Sequence, residues 1–129
     1  MQVTRLFDFP YYQLKNHAQE NCFLYKNESK WNNISTQKYI DLANEVSNSL
    51  LELGVKKNDK IAVITSNNQP KWHILDVGIL QIGAQNVPLY ATLSEKDYEY
   101  VLSHSDAEYC FVSDDELFQK VKNVQAKTK

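Results

Sequence analysis

The sequence predicts an α/β fold, with a small parallel sheet and flanking helices in three layers and an N-terminal β-hairpin before them. Two observations support this prediction. From residue 61 onward, apolar runs alternate with amphipathic stretches in the order strand, helix, strand, helix, strand, helix. In addition, Ile61–Ile64 is apolar at every position, which is typical of a strand covered on both faces in a parallel sheet.

Length and composition limit the classes of function. The 129 residues fit one domain, and 43% hydrophobic with 23% charged residues predict a folded core. The net charge of −2 argues against a nucleic-acid-binding protein. No apolar run approaches the ~20 residues of a transmembrane helix, and the first ten residues do not resemble a secretory signal. Cys22 and Cys110 are far apart in the sequence, which fits a reducing, cytoplasmic environment.

The N-terminal segment predicts a short helix followed by a hairpin. Pro10 disfavours helical geometry at Phe9, so the helix is expected over Tyr11–Gln19. Aromatic residues predict a strand over residues 22–26, and residues 30–32 follow a polar turn as the return strand.

The most regular helical pattern follows the hairpin. Ser35 or Thr36 can cap this helix, and Gly54 suits the left-handed position after its last turn. The apolar residues at steps of three and four predict one buried stripe made of Tyr39, Leu42, Ala43, Val46, Leu50 and Leu53.

A second helix is expected after the strand Ile61–Ile64. Residues 66–68 are predicted to supply its capping side chains, and Pro70 fits its first turn, where the missing N–H costs nothing. Its apolar stripe is predicted to contain Trp72, Leu75, Ile79 and Ile82.

The same strand–helix pattern continues to the end of the chain. Residues 86–89 predict a short strand at a sheet edge, because Pro88 cannot donate to a ladder. Residues 94–97 predict a capping box, and residues 109–112 predict the last strand. Residues 113–116 then predict a second box, of the form Ser-x-x-Glu, at the start of the last helix.

No motif in the chain predicts catalysis. Gly78 and Gly83 have the spacing of a phosphate-binding loop, but the required lysine is missing, so helix packing and a helix end explain them better. Asp114-Asp115 resembles the acidic pair of receiver domains but is better explained as a helix cap. Residues 104–106 read His-Ser-Asp, which is not triad geometry. We therefore predict no catalytic, cofactor-binding or metal-ligating residue in this chain.

An ordered set of short motifs runs through most of the chain. The motifs are Trp31, Ser35, Leu53-Gly54-Val55, Asn58-Asp59, Asn67, Pro70, Trp72, Gly83-Ala84, Val87-Pro88-Leu89-Tyr90 and Thr92-Leu93-Ser94. This set resembles the opening of the AMP-forming acyl-CoA synthetases, and most closely the long-chain fatty acyl group of the adenylate-forming superfamily. One departure from the family pattern is Asn58, where glycine is usual, and asparagine tolerates the same left-handed turn.

The resemblance implies that residues 1–129 form an incomplete N-terminal part of the AMP-binding domain of a long-chain fatty acid–CoA ligase. It implies fatty acid, ATP, Mg²⁺ and coenzyme A for the parent enzyme, and an inactive fragment, because the family's reactive segments are absent. It leaves open a peripheral contact of the parent enzyme with a membrane. Ligands of open parallel sheets bind beyond the carboxyl ends of the strands, so residues 66–68 and 89–91 are expected to face the cleft.

Two other interpretations remain at this point. The chain could be a stand-alone α/β binding module or a receiver-like signalling module without ligase activity. It could also act as an interaction piece, since a domain separated from a larger enzyme exposes apolar surface. We expect the isolated fragment to self-associate through a sheet edge or an exposed face.

Overall fold

The computed structural model describes residues 3–128, which divide into two compact units. The first unit contains residues 3–55 and Gln69–Gly83, and the second contains Lys56–Asn68 and residues 84–128. The helices are α1 (Phe9–His17), α2 (Thr36–Glu52), α3 (Pro70–Gln81), α4 (Glu95–Ser105) and α5 (Asp115–Gln125), with a 3₁₀ turn at Leu6–Asp8. The strands are β1 (Phe23–Asn27), β2 (Lys30–Ile34), β3 (Lys60–Thr65), β4 (Gln85–Tyr90) and β5 (Tyr109–Val112).

The second unit contains a three-stranded parallel sheet with the strand order β4-β3-β5. β4 lies at an edge of this sheet, as the proline within it predicted, and Pro88 is paired in register with Val63 of β3. The predicted α/β class, with a small parallel sheet, flanking helices and an N-terminal hairpin, is confirmed.

The core of the second unit lies between the sheet and helices α4 and α5. Ala62 and Ile64 of β3 are fully buried there. Ile61 and Val63, which alternate with them along the strand, are buried as well, as predicted for a strand covered on both faces. The helices and β4 contribute Leu89, Tyr98, Leu102, Leu117 and Val124 to this core.

The first unit contains α1, the hairpin β1–β2, α2 and α3. β1 and β2 pair in the antiparallel register Phe23↔Ile34, which places Phe23 against the helices. The ring of Phe23 meets Tyr39 edge-on at 4.9 Å between ring centroids and stacks on His73 at 5.2 Å. Ala43 of α2 and Val77 of α3 complete the buried centre of this core.

α2 ends as its glycine predicted. The N–H of Gly54, whose φ is 90°, donates to the Leu51 carbonyl, and the N–H of Val55 donates to the Leu50 carbonyl. This is a Schellman motif, and Val55 is buried as its hydrophobic contact. The predicted stripe is wrong at Leu53, which is 59% exposed because it is already the C-cap residue.

The predicted stripe of α3 is wrong in part. Ile79 is fully buried, but Trp72, Leu75 and Ile82 are only half-buried. The buried face consists of Ile74, Val77, Gly78 and Ile79. α3 is apolar on several sides, so residue spacing alone does not select one face.

A glycine allows α2 and α3 to pack closely. A Cβ atom added at Gly78 would lie 2.8 Å from the Val46 Cβ and 3.0 Å from the Ala43 carbonyl oxygen. The Ser47 hydroxyl lies 2.9 Å from the Gly78 carbonyl oxygen and 2.7 Å from Gln81 Oε1, and either can accept its proton. The helix-packing explanation of Gly78 is therefore confirmed.

The predicted start of α1 is wrong. The helix begins at Phe9, two residues earlier than expected, with Pro10 in its first turn. Proline is tolerated there because the first N–H groups of a helix have no partner within the helix. Within residues 3–128, no helix has both the length and the apolar character needed to cross a membrane.

The Asp8 side chain links the residues of the N-terminal segment by hydrogen bonds, which the sequence pattern does not predict. Its nearly buried carboxylate accepts hydrogen bonds from the Thr4 N–H at 3.1 Å and the Arg5 N–H at 3.0 Å. The Arg5 guanidinium donates to the same carboxylate at 2.8 Å. The Arg5 side chain, followed by these backbone donors, lowers the pKa of Asp8 far below its ordinary value of 3.8.

This lowered pKa predicts how the stability of wild type and Asp8→Ala depends on pH. The ionised form is favoured in the folded state, so its contribution is complete above the unfolded-state pKa and is lost as pH falls. We expect Asp8→Ala to melt below wild type at neutral pH, with the difference shrinking between about pH 5 and pH 2. Thermal melts across this range measure the difference, and a constant difference would refute the assignment.

Candidate functional site

The three strands of the second unit end together at one edge of the sheet, which we call the carboxyl edge. Thr65 of β3 is in register with Tyr90 of β4, and Ile64 of β3 is in register with Val112 of β5. The next residues along β3 and β5 are Ser66 and Ser113. Ligands of open parallel sheets bind at such an edge, so it is the first candidate site.

A short polar network crosses the carboxyl edge. The Ser66 N–H donates to the Ser113 hydroxyl at 2.9 Å, and the two hydroxyl oxygens lie 3.3 Å apart. The Ser113 hydroxyl donates to Asp114 at 2.8 Å. Asp114 in turn accepts the Leu117 N–H at 3.0 Å as the N-cap of α5. These bonds join the ends of β3 and β5 to the start of a helix.

The carboxyl edge carries negative charge. The Leu117 N–H, and after it the Ser113 hydroxyl, lower the pKa of Asp114, so this side chain is ionised at neutral pH. The segments 64–68, 90–93 and 112–116 contain three acids and neither lysine nor arginine. The nearby Lys120 is ion-paired with Glu116 at 3.1 Å, so acidic groups remain in excess at this edge. This excess disfavours a phosphate group and suits an uncharged part of a ligand.

Tyr90 is a large side chain that is exposed at this edge. It is 80% exposed, whereas the preceding residue, Leu89, is buried in the core. Its carbonyl accepts the Tyr98 hydroxyl at 3.0 Å and the Leu93 N–H at 3.2 Å. The end of β4 is therefore fixed by one hydrogen bond from a core residue and one from the turn that follows the strand.

The structure brings together part of what the sequence predicted for a cleft. Ser66 and Tyr90 lie at the carboxyl edge as expected, but Leu89 is a core residue. Ser113 and Asp114 were missed as edge residues because they were read only as a helix start. The strand-end rule that selected Ser66 would have found them after β5.

Two predicted caps differ from the structure. The cap of α5 is Asp114, so the predicted Ser-x-x-Glu box is wrong by one residue, because the Asp114 carboxylate and not the Ser113 hydroxyl accepts the Leu117 N–H. The N-cap residue of α3 is Gln69, whose side chain makes no cap hydrogen bond, so the predicted capping by residues 66–68 is also wrong. The box of Ser94 with Asp97 is confirmed.

The alternative chemical motifs have structural explanations. Gly83, with φ of 76°, follows the last turn of α3, as expected for a helix end. His104 stacks on Tyr100 at 5.6 Å between ring centroids, and Asp106 is the left-handed C-cap of α4. The His-Ser-Asp run is therefore a helix terminus. Burial raises the pKa of the Cys110 thiol to about 11, so this thiol is protonated at neutral pH.

The first unit has an open groove of about 540 Å³ with a mainly apolar lining. Phe9 and Tyr12 of α1 lie on one side of it, and Val77 and Leu80 of α3 on another. Cys22 also lines the groove, and its Sγ lies 3.6 Å from Gln13 Oε1. The groove has the character of a hydrophobic contact surface.

Comparison with known protein families decides the classification. The family model described as "AMP-binding enzyme" matches residues 12–129, which is nearly the whole chain. This chain belongs to the AMP-binding enzyme family. The recognition made from the ordered motifs is confirmed at the level of the family.

The curated relatives that the chain matches are much longer than the chain. The human long-chain-fatty-acid–CoA ligase ACSBG2 is 27% identical over 99 residues, which are 77% of this chain and 15% of that protein. Fatty acyl-CoA synthetase A of Dictyostelium discoideum is 35% identical over 63% of this chain and 12% of its own length. The chain therefore spans less than one-sixth of the length of these relatives.

Solved structures share the fold of this chain. A putative long-chain-fatty-acid CoA ligase from Rhodopseudomonas palustris has a TM-score of 0.84 at 17% identity, over 98% of this chain and 30% of that one. The anthranilate CoA ligase AuaEII has a TM-score of 0.79 at 19% identity, over 98% of this chain and 24% of that one. These similarities establish the fold.

Proposed function

We propose that this chain is the N-terminal part of a long-chain fatty acid–CoA ligase. In the complete enzyme, a fatty carboxylate oxygen attacks the α-phosphate of ATP and displaces pyrophosphate, giving an acyl-adenylate. The coenzyme A thiol then attacks the acyl carbon, forms the thioester and releases AMP. The observation that carries this proposal is the family match over residues 12–129, together with relatives named for a long-chain fatty acid or a fatty acyl group.

In this proposal, residues 1–129 contribute structure to the enzyme. The sheet of the second unit supplies one wall of the substrate cleft at its carboxyl edge, and the adenylation and thioester steps use residues outside the chain. Within residues 3–128, no group of three His, Cys, Asp or Glu residues is placed to hold a metal ion. The inactivity and self-association of the isolated fragment and its cytoplasmic location stay predictions.

The main alternative is a binding or receiver-like module without ligase activity. Its strongest motif was the acidic pair at residues 114–115. Asp114 accepts the Leu117 N–H as the N-cap of α5, which favours the helix-capping explanation. We therefore keep the ligase as the proposal and let activity decide between them.

ATP–pyrophosphate exchange tests the proposal. We expect the full-length protein to incorporate labelled pyrophosphate into ATP when palmitate is present, because adenylate formation is reversible. Hexadecanol, which has the same chain but no carboxylate, should support no exchange. The isolated residues 1–129 should be inactive. Exchange that does not depend on a fatty acid would contradict the ligase function.

A further inference from the structure

We propose that Tyr90 contacts an uncharged, apolar part of the substrate at the carboxyl edge, and that Tyr98 is the positioning residue that holds Tyr90 there. This inference rests on the proposed function and assigns a role within it to two residues of this chain. The hydrogen bond from the Tyr98 hydroxyl to the Tyr90 carbonyl, 3.0 Å long, connects them.

The exposure of Tyr90 is the first argument. At 80%, it is the most exposed of the large hydrophobic side chains in residues 3–128. It is the last residue of β4 and is paired with the last residue of the central strand, Thr65, so it stands where an open sheet receives a ligand. Packing of the second unit does not require a tyrosine here, because Leu89 already supplies the inward side chain.

The bonding of Tyr98 is the second argument. Its side chain is fully buried in the core of the second unit, where a phenylalanine would fill nearly the same volume. The hydroxyl reaches out of this core to the Tyr90 carbonyl, which also accepts the Leu93 N–H. Two donors on one carbonyl fix the last residue of β4, and a group that contacts substrate needs such a rigid support.

The charge of the edge limits the kind of ligand group. The neighbouring ends of β3 and β5 offer the hydroxyls of Ser66 and Ser113 and the ionised carboxylate of Asp114. An anionic phosphate is repelled by this carboxylate, whereas an aromatic face favours a planar or apolar group. Two parts of the substrates have this chemistry, the adenine ring of ATP and the alkyl chain of the fatty acid.

Steady-state kinetics of the full-length enzyme test the inference. We expect Tyr90→Ala to raise the KM for ATP or for palmitate about tenfold with little change in kcat, as expected for loss of a binding contact. A rise in the KM for ATP identifies the adenine ring, and a rise in the KM for palmitate identifies the alkyl chain. A rise confined to coenzyme A, or no rise, overturns the contact.

A double-mutant cycle tests the positioning role. Tyr98→Phe should raise the same KM about threefold in the wild-type background and leave it unchanged in the Tyr90→Ala background, because the effect passes through Tyr90. Equal effects of Tyr98→Phe in both backgrounds, or a lower melting temperature with an unchanged KM, overturn the role.

A matched control is available on α4. Tyr100 is 67% exposed and lies in the middle of α4, outside the three strand-end segments, so Tyr100→Ala should leave all three KM values unchanged. A similar rise in KM for Tyr100→Ala would mean that loss of any exposed tyrosine has this effect, and it would overturn the inference. If the wild-type enzyme forms no acyl-CoA, the proposed function fails and the inference fails with it. An active wild type with unaffected variants refutes the inference alone.

Discussion

Gly78→Val is expected to lower the free energy of unfolding by about 3 kcal/mol, because it overpacks the contact between α2 and α3. A Cβ at this position would lie 2.5 Å from Val46 Cγ1 and 3.0 Å from the Ala43 carbonyl oxygen. The side chain could yield, but the carbonyl belongs to the backbone of a helix and could move only with α2. Both tryptophans, Trp31 and Trp72, lie in the same unit, so urea unfolding followed by tryptophan fluorescence measures the loss.

Two further variants separate overpacking from a general effect of valine in a helix. Val46→Ala removes the shortest of the three close contacts, the one to Cγ1, so adding it to Gly78→Val should restore part of the lost stability. Ser49→Val places the same side chain on the exposed face of α2 and should cost less than about 1 kcal/mol. Equal losses for Gly78→Val and Ser49→Val would contradict the close packing.

Ile64→Ala is expected to cost about 2–5 kcal/mol by opening a cavity in the second unit. Ile64 lies in the central strand, is fully buried and packs with the core residues Leu89, Tyr98 and Leu102. A central strand between two paired neighbours has little room to collapse into the space left behind. Urea unfolding followed by circular dichroism measures the change.

Leu51→Ala is the matched control for Ile64→Ala because it removes the same number of carbon atoms. Leu51 is on α2 and is 54% exposed, so we expect a cost below about 1 kcal/mol. Similar losses for the two variants would mean that Ile64 does not lie in a packed core.

The elements of the second unit could be predicted well from sequence because local signals agree there. The apolar run of β3, the box at Ser94 and Asp97, and the proline of β4 each have one structural interpretation. β5 spans residues 109–112 as expected. The parallel pairing of these strands then follows from their alternation with helices.

The errors lie where tertiary contacts override local patterns. Ser47 is buried because its hydroxyl finds acceptors on α3, which hydropathy does not indicate. Leu53 was assigned to the core by its spacing, although the helix had already ended. Asp8 gathers donors from Thr4 and Arg5 in an irregular segment that has no periodicity to read.

The sequence predicted where the candidate site lies, but it did not predict all the residues that form it. Ser66 and Tyr90 are expected at the edge because they lie at the ends of their strands. The same rule applies to Ser113 and Asp114, which the sequence pattern instead assigns to the capping of α5. The support of Tyr90 by Tyr98 could not be read from sequence, because an aromatic residue in a helix predicts burial but not the partner of its hydroxyl.

Product analysis of the full-length protein tests the ligase proposal most directly. Incubated with palmitate, ATP, Mg²⁺ and coenzyme A, it is expected to form palmitoyl-CoA, AMP and pyrophosphate in equal amounts. Formation of ADP and phosphate, or consumption of ATP without any thioester, would contradict the account.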